Sequence, residues 1–203
     1  MKKTKKKQKK VKFILKNNYK ESWNYIKDSK NFFWLIIGVF LAFALIGFFM
    51  PAPEYLSNMI LDFIKELLEK TDEMSGLQLI RFIFLNNLQS SFFGIAFGIF
   101  LGIFPVLFAI ANGYVIGFVS NMAVQEAGIL SLWRLFPHGI FELPAVFISF
   151  ALGLRLGVSV FNKKKFGDFK KNILSCLNVF VFVVIPLLII AAIIEGVLIF
   201  FGG

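Results

Sequence analysis

Three stretches of this sequence place polar side chains inside otherwise apolar segments. The first carries amides and hydroxyls, the second carries one amide, and the third carries an imidazole four residues before a carboxylate. Residues four apart lie on one face of a helix, so the last two groups can act together. Groups of these types can bind a proton, an ion or a polar solute, or transfer protons. The residues are Asn86, Asn87, Gln89, Ser90, Ser91, Asn112, His138 and Glu142.

Three interpretations of these polar residues remain open. The first is mutual hydrogen bonding between helices, in which Glu142 accepts from Asn86, Asn87 or His138. The second is a binding site for a proton, an ion or a small polar solute. The third is intramembrane catalysis, with His138 or Glu142 as an acid, a base or a metal ligand. Because the sequence has one His and no His-Glu-x-x-His motif, we expect no enzyme activity, no metal and no other cofactor.

The composition excludes an ordinary soluble domain. Of the 203 residues, 58% are hydrophobic and 17% are charged, and the mean hydropathy is +0.76. Soluble domains have about 45–50% apolar and about 25% charged residues. A single cysteine, Cys176, excludes an intramolecular disulfide. We therefore predict an all-α fold, a polytopic membrane helix bundle with about five transmembrane spans and one outer amphipathic helix.

The apolar segments predict where the chain crosses the membrane. Residues 32–50 are nineteen residues without a polar side chain, close to the roughly 20 residues that cross about 30 Å of hydrocarbon. A cleaved signal peptide fits poorly, because this apolar run is too long. We expect four further spans, at residues 80–102, 104–122, 137–161 and 173–201.

Residues 54–75 predict an amphipathic helix between the first two spans. Apolar residues recur there at intervals of three and four, the period of a helix with one apolar face. Residues 51–80 also carry six acids and two lysines. Acids are unusual in a helix that rests on anionic lipid. We therefore expect this helix to contact protein, either a second copy in a homo-oligomer or another membrane protein.

The formal net charge of +10 is concentrated near the amino terminus. Residues 1–30 hold twelve lysines and two acids, and residues 163–171 hold five lysines and one acid. The positive-inside rule places both clusters in the cytoplasm. We thus expect a Lys-rich cytoplasmic tail at residues 1–31, a membrane bundle at 32–203, and a carboxy terminus outside the cell membrane. Attraction to anionic headgroups of the lipid bilayer, at about 1 kcal/mol per Lys, explains the tail without a nucleic-acid partner.

Glycines at four-residue spacing predict close helix packing. Small residues let helix backbones approach one another in lipid, where no hydrophobic force drives association. Three consecutive spans carry such rows, and we expect them to form one compact core together. The rows are Gly94, Gly98 and Gly102; Gly113 and Gly117; and Gly153 and Gly157.

Two charged residues and two prolines also lie within the predicted spans. Arg155 stands near the inner end of the fourth span and Glu195 near the outer end of the fifth. We expect both side chains to reach toward the headgroups. Pro137 and Pro144 are expected to set helix ends and kinks.

Five sequence segments together resemble the stage II sporulation protein M family. The segments are FLNNLQSS (84–91), GIAFGIFLGIFP (94–105), ANGYVIG (111–117), LFPHGIFELPA (135–145) and GLRLG (153–157). The resemblance covers residues 32–201. Its Pro-His-Gly-x-x-Glu-x-Pro run is specific, whereas the glycines are not. By the family pattern, the characteristic positions are Asn86, Asn87, Ser90, Asn112, Gly113, Pro137, His138, Gly139, Glu142 and Pro144.

The resemblance implies a multi-pass integral membrane protein of the same fold. Sporulation members of the family resemble scaffolds that join peptidoglycan-degrading partners in a membrane complex during engulfment. This chain departs from them in its long Lys-rich tail, so the sporulation role is not carried over. We expect a scaffold or subunit of a membrane complex. The alternative is a small transporter or channel that uses the Asn, His and Glu residues.

Overall fold

The computed structural model describes residues 17–50, 52–161 and 168–202, without the side chains of residues 133–141 and 199–202. Throughout these residues the regular structure is helical and contains no strand. The predicted all-α class is therefore confirmed. The Lys-rich residues 1–16 and the lysines at 163–165 lie outside the described residues.

Eight α-helices are numbered here in chain order over the described residues. Short 3₁₀ turns, Phe97–Ile99 and Ile129–Leu135, lie between the longer elements, and a π turn, Phe180–Val184, joins the last two helices. The helices are α1 (17–28), α2 (Lys30–Phe49), α3 (Glu54–Asp72), α4 (Gly76–Ala96), α5 (Ile103–Ala127), α6 (Phe136–Phe161), α7 (Phe169–Val179) and α8 (Ile185–Gly202).

Five segments of the described chain are long and apolar enough to cross a membrane, which agrees with the predicted number. The second span starts about four residues earlier than predicted, because Gln78 caps the start of α4. Its side-chain oxygen accepts from the Ser75 backbone N–H at 2.8 Å, which satisfies a donor at the helix start. The spans are Lys30–Phe49, Gly76–Ile99, Ile103–Ala127, Glu142–Phe161 and Phe169–Leu198.

A tight reversal separates α4 from α5. Leu101 and Gly102 both adopt the left-handed backbone conformation, with φ of 60° and 72°. Glycine adopts this conformation without a steric penalty, whereas leucine rarely does. The Gly102 N–H donates to the Gly98 carbonyl at 2.8 Å, closing the turn. Two separate spans therefore occupy residues 76–127.

Each of the first two spans packs in parallel with the span that is two further along the chain. In the first pair, α2 and α5 run in the same direction, since Phe40 meets Gly113 and Ala44 meets Gly117. The second pair consists of α4 and α6. Gly94 meets Phe150 there, and one turn along the helix Gly98 meets Gly153. Because each intervening span returns across the bundle, the five spans alternate in direction.

The fourth span forms the centre of the bundle. Inside the protein, 72% of the window Glu142–Phe161 is buried, compared with 17–33% for the other four spans. Its residues contact α2, α4, α5, α7 and α8. Phe150, Leu152 and Leu156 are almost fully buried. This helix therefore determines how the five helices that contact it are placed around it.

The two ends of the bundle differ in charge. At one end, which we call the basic end, α1 and the start of α7 meet, and the Tyr25 hydroxyl donates to the Asn172 side chain at 3.2 Å. The acidic helix α3 leads into α4 at the other end, the acidic end, where Ile80 of α4 meets Gly196 of α8. Tyr25 is buried, so helix packing extends into α1, on the amino-terminal side of the first span.

Candidate functional site

Polar residues of α4 divide between two faces of the helix. Asn87 and Ser91 are buried and continue the stripe of Leu79 and Ile83 that faces the bundle interior. Asn86 lies on a neighbouring face and is exposed. Residues four apart share a helix face, whereas adjacent residues point about 100° apart. The polar residues of α4 therefore do not form one surface.

The side chains on the outer face of α4 line a cavity shared with α5. This polar cavity has a volume of about 310 Å³. Two phenylalanines, Phe93 and Phe108, border it. The polar residues that line it are Asn86, Gln89, Ser90 and Asn112. The structure thus brings together four of the polar residues on which the sequence analysis rests.

Hydrogen bonds satisfy these polar groups only in part. The Asn112 side-chain N–H donates to the Phe108 carbonyl of its own helix at 2.8 Å. Within the described part of the chain, the side chains of Asn86, Gln89 and Ser90 make no hydrogen bond. Leaving an amide or a hydroxyl without a partner in a membrane costs free energy. The cavity therefore presents polar atoms that water, a solute or another protein can satisfy.

Glu142 lies at the same level of the bundle as Asn86. Both residues precede the contact between Gly94 and Phe150 by eight positions on parallel helices, about 12 Å at 1.5 Å per residue. Glu142 is half-buried and has an interaction partner. Our first interpretation allows three donors to Glu142: Asn86 and Asn87 make no hydrogen bond to it among the described residues, and the side chain of the third, His138, lies outside them.

The remaining positions of the Pro-His-Gly-x-x-Glu-x-Pro run lie in the first turns of α6. The backbone of Pro137, His138 and Gly139 is helical, and their side chains lie outside the described residues. Pro144 stands inside the helix and is half-buried. Proline has no N–H to donate to the carbonyl four residues earlier. The start of α6 therefore has an interrupted hydrogen-bond ladder beside Glu142.

Gly113 does not belong to the polar cavity, although it follows Asn112 directly. A methyl group at Gly113 would overlap with the Phe40 carbonyl oxygen of α2. Gly117, one turn later, likewise faces Ala44 and Phe48 of α2. The α5 row therefore does not join the other two rows in the single core that we expected, because Gly113 and Gly117 face α2.

The glycine rows of α4 and α6 do meet each other. A methyl group at Gly98 would overlap with the Gly153 backbone, and one at Gly157 would overlap with Gly98 and Gly102. Gly94 instead receives the Phe150 ring. Glycine at these positions lets the two backbones approach within contact distance. Two separate glycine interfaces, α2 with α5 and α4 with α6, therefore form the bundle.

A second polar cluster, which was not predicted from the sequence, lies at the basic end. The Arg155 side chain is only 8% exposed. Its Nη1 donates to the Ser29 hydroxyl at 2.7 Å and to the Tyr25 carbonyl at 3.1 Å. The guanidinium also lies over the Tyr25 ring, 3.9 Å from the centroid. The expectation that Arg155 reaches the headgroups is wrong, because these partners hold it inside.

A distortion of the backbone supplies the partners of Arg155. Ser29 stands between α1 and α2, and its hydroxyl donates to the Tyr25 carbonyl at 2.7 Å. Such a bond to the preceding turn often bends a helix and leaves carbonyl oxygens accessible. Burial raises the pKa of Tyr25 far above its ordinary value of 10.0, so its hydroxyl remains a donor to Asn172. The internal pairing of Arg155 could have been predicted from the sequence, because an arginine two turns inside an apolar span is usually paired.

Glu195 is likewise buried instead of reaching outward. It is 7% exposed and lines a large groove of about 800 Å³ at the acidic end. Leu79 and Ile83 of α4 and the second half of α3 form the other walls of this groove. Among the residues that the structure describes, no group of three or more His, Cys, Asp or Glu could hold a metal ion.

Comparison with known protein families gives one match. The family model described as stage II sporulation protein M matches residues 36–198, which include the polar cavity, Glu142 and both glycine interfaces. The chain has no match among curated proteins and none among solved structures. Because the match covers most of the chain, and because five apolar helices accompany it, this multi-pass membrane protein belongs to the stage II sporulation protein M family.

Proposed function

We propose that the protein is a non-enzymatic scaffold or subunit of a membrane complex, and that α3 is its contact surface. The observation that carries this proposal is a row of large side chains on α3 that the rest of the described chain leaves uncovered. Tyr55, Met59 and Phe63 stand four residues apart and are 82%, 52% and 57% exposed. Contiguous exposed apolar residues of this kind typically mark interaction sites.

The charge of α3 favours a protein over a lipid surface as its partner. The helix carries acidic residues among its apolar ones, and only Ile60 is buried. Amphipathic helices that rest on membranes are typically rich in Lys and Arg, which attract anionic lipids. Acids on the same surface would repel those lipids. A protein partner can cover Tyr55, Met59 and Phe63 and offer basic side chains to Asp62 and Glu66, which share that face of the helix.

The proposed orientation of the protein in the membrane follows from the difference in charge between the two ends of the bundle. Cytoplasmic segments carry the excess of lysine, so the basic end faces the cytoplasm. The amino terminus is then cytoplasmic, and the carboxy terminus and α3 lie outside. Because α3 and the basic end lie at opposite ends, the partner of α3 would be an extracytoplasmic domain or α3 of a second copy.

Site-specific cross-linking in membranes tests this surface. In a Cys176→Ser background, Met59→Cys carries a benzophenone group on the exposed row, and Lys65→Cys carries it on another side of α3. We expect adducts from position 59 and not from position 65. An adduct of twice the mass of 23.1 kDa shows self-association, and a different mass shows another partner. Equal labelling at both positions, or no adduct at position 59, contradicts the proposal.

The polar cavity favours a second candidate function, a binding or conduction site for a small polar solute or a proton. Its volume of about 310 Å³ has room for about ten waters at roughly 30 Å³ each. Asn86, Gln89 and Ser90 present polar atoms to it at the level of Glu142. Polar side chains inside a membrane span often mark pathways for ions and polar solutes, which a scaffold does not need.

Flux measurements separate the two candidates. Protein in sealed vesicles is tested for proton flux with a trapped pH-sensitive dye, and for glycerol flux by the rate of vesicle swelling. A transporter or channel loses flux in Glu142→Gln and Asn112→Leu but not in Asn121→Leu, whose side chain bonds to Gln125 on the same helix. Flux equal to that of empty vesicles contradicts the second candidate for these two solutes and leaves the scaffold proposal unaffected.

A further inference from the structure

An apolar groove runs between α1 and the start of α8 on the outer surface of the bundle. We call it the α1–α8 groove. Tyr19 and Trp23 form one wall, and side chains of the segment 182–190 form the other, in a volume of about 300 Å³. The rings of Tyr19 and Phe182 lie 5.7 Å apart. The two walls of the groove thus meet at an aromatic pair, with Tyr19 on α1 and Phe182 on the last span.

The groove faces lipid and not the protein interior. Ile190 and Ile193 on this side of the last span are 44% and 49% exposed. Trp23 is also half-exposed, at 55%. Tryptophan and tyrosine are typical of the membrane–water boundary, where a ring contacts both hydrocarbon and headgroups. A lipid chain is therefore the molecule that meets this groove in a membrane.

An irregular stretch of the last span shapes the wall that α8 contributes. The π turn Phe180–Val184 interrupts the α-helix, and Pro186 follows it within the groove. A π turn adds a residue to one turn of the helix, and proline cannot donate to the carbonyl of residue 182. The surface here is consequently not the regular surface of a straight helix.

The charges on α1 indicate which lipid fits. At 100° per residue, Tyr19, Lys20, Trp23 and Lys27 fall within about 100° of one another on the helix surface. The Lys27 ammonium lies 5.8 Å from the centroid of the Trp23 ring. The acids of α1, Glu21 and Asp28, fall outside that sector. Positive charge therefore borders the same face as the aromatic wall.

The wall that α1 contributes is held in position by the buried cluster of Arg155. The Ser29 and Tyr25 contacts of Arg155 attach the end of α1 to α6, and the Tyr25 hydroxyl attaches it to α7. A groove whose walls are already fixed loses less conformational entropy when a ligand binds.

We propose that the α1–α8 groove binds one anionic phospholipid, with an acyl chain between Trp23 and the 182–190 segment and the headgroup at Lys20 and Lys27. A neutral lipid can fill the apolar part equally well. Preference for the anionic headgroup comes from the two lysines. The site lies on the described helices, apart from the tail at 1–16, and it does not depend on the partner of α3.

Quenching of Trp23 fluorescence by brominated lipids tests this site directly. The protein has three tryptophans, so Trp34→Phe and Trp133→Phe leave Trp23 as the sole emitter in the full chain. Phosphatidylglycerol or phosphatidylcholine with brominated acyl chains is then titrated into vesicles that contain both lipids. We expect half-quenching at a mole fraction of brominated phosphatidylglycerol at least about fivefold lower than that of brominated phosphatidylcholine, since one lysine contributes about fivefold.

Two variants and one control identify the headgroup contacts. Lys20→Gln and Lys27→Gln change exposed side chains, and each should reduce the preference severalfold, while Lys65→Gln on α3 should leave it unchanged. Equal quenching by the two lipids in the parent protein would overturn the proposal, because the groove would then hold only bulk lipid. A preference that survives both lysine variants would also overturn it.

Discussion

The Nη1 atom of Arg155 lies 2.7 Å from the hydroxyl oxygen of Ser29, a residue 126 positions earlier in the chain. This bond joins the central helix α6 to the junction of α1 and α2. The same nitrogen donates to the Tyr25 carbonyl, and the Tyr25 ring stacks under the guanidinium. One arginine therefore connects the first helices to the centre of the bundle.

Removal of this side chain should destabilise the protein. Arg155→Ala loses two hydrogen bonds from a charged donor, and we expect the free energy of unfolding to fall by about 2–3 kcal/mol. Arg155→Lys should recover part of this loss, since it keeps the charge and loses the planar stacking. Reversible unfolding in mixed micelles measures the change. Arg81→Ala, at an exposed position of α4, is the control, and a loss as large as that of Arg155→Ala would contradict the assignment.

A methyl group at Gly98 should be costly, because the Gly153 backbone occupies the space where it would lie. Overpacking of a close contact typically costs about 1–3 kcal/mol, and we expect Gly98→Ala to fall in this range. Gly38→Ala provides the matched control, since nothing lies within 4 Å of a methyl group there. Thermal unfolding of the two variants measures the difference. Similar midpoints would mean that α4 and α6 do not approach as closely as described.

The two glycine interfaces should respond independently to substitution. Gly98 lies between α4 and α6, and Gly117 lies between α2 and α5. Effects at sites without shared partners usually add within about 0.3–0.5 kcal/mol. The Gly98→Ala/Gly117→Ala double variant should therefore lose the sum of the two single losses. A coupling energy above about 1 kcal/mol, measured by the same unfolding assay, would favour a single core of three glycine rows.

The stability of the protein should decrease above pH 10 in a way that depends on Tyr25. Burial raises the pKa of its hydroxyl in the folded state above the ordinary value of 10.0. A group of this kind stabilises the fold fully below its unfolded pKa, and the contribution is lost as the pH rises beyond that value. Tyr25→Phe should reduce the decrease between pH 9 and pH 11. Tyr55→Phe changes an exposed ring and serves as the control, and equal pH profiles for the two variants would contradict this role.

The spans and their number could be predicted from the sequence because membrane crossing depends on length and apolarity. Residues 32–50 and 104–122 are apolar over the thickness of a bilayer, which is a local property of the chain. The pairing of helices is not local. Asn112 and Gly113 are adjacent in the sequence, yet one faces the polar cavity and the other faces α2, and only the rotation of α5 in the bundle decides this.

Arg155 illustrates a second limit of the sequence-based prediction. An arginine near a helix end can reach water or bind an internal partner, and the choice depends on what lies opposite. Here the opposite residues, Tyr25 and Ser29, come from a segment that composition assigned to a cytoplasmic tail. The amides, the hydroxyls and Glu142 could be singled out from the sequence, but not which of Asn86 and Asn87 faces the bundle interior.

The parallel pairing of α2 with α5 has a consequence for synthesis on the ribosome. Translation must proceed from Phe49, where α2 ends, to Ala127, where α5 ends, before the first span has its full partner. At about 5–20 residues per second this takes roughly 4–16 s. During that interval Gly47, which later meets Tyr114, faces lipid or the insertion machinery. The nascent chain must therefore keep its first span unpaired until three crossings have been threaded into the bilayer.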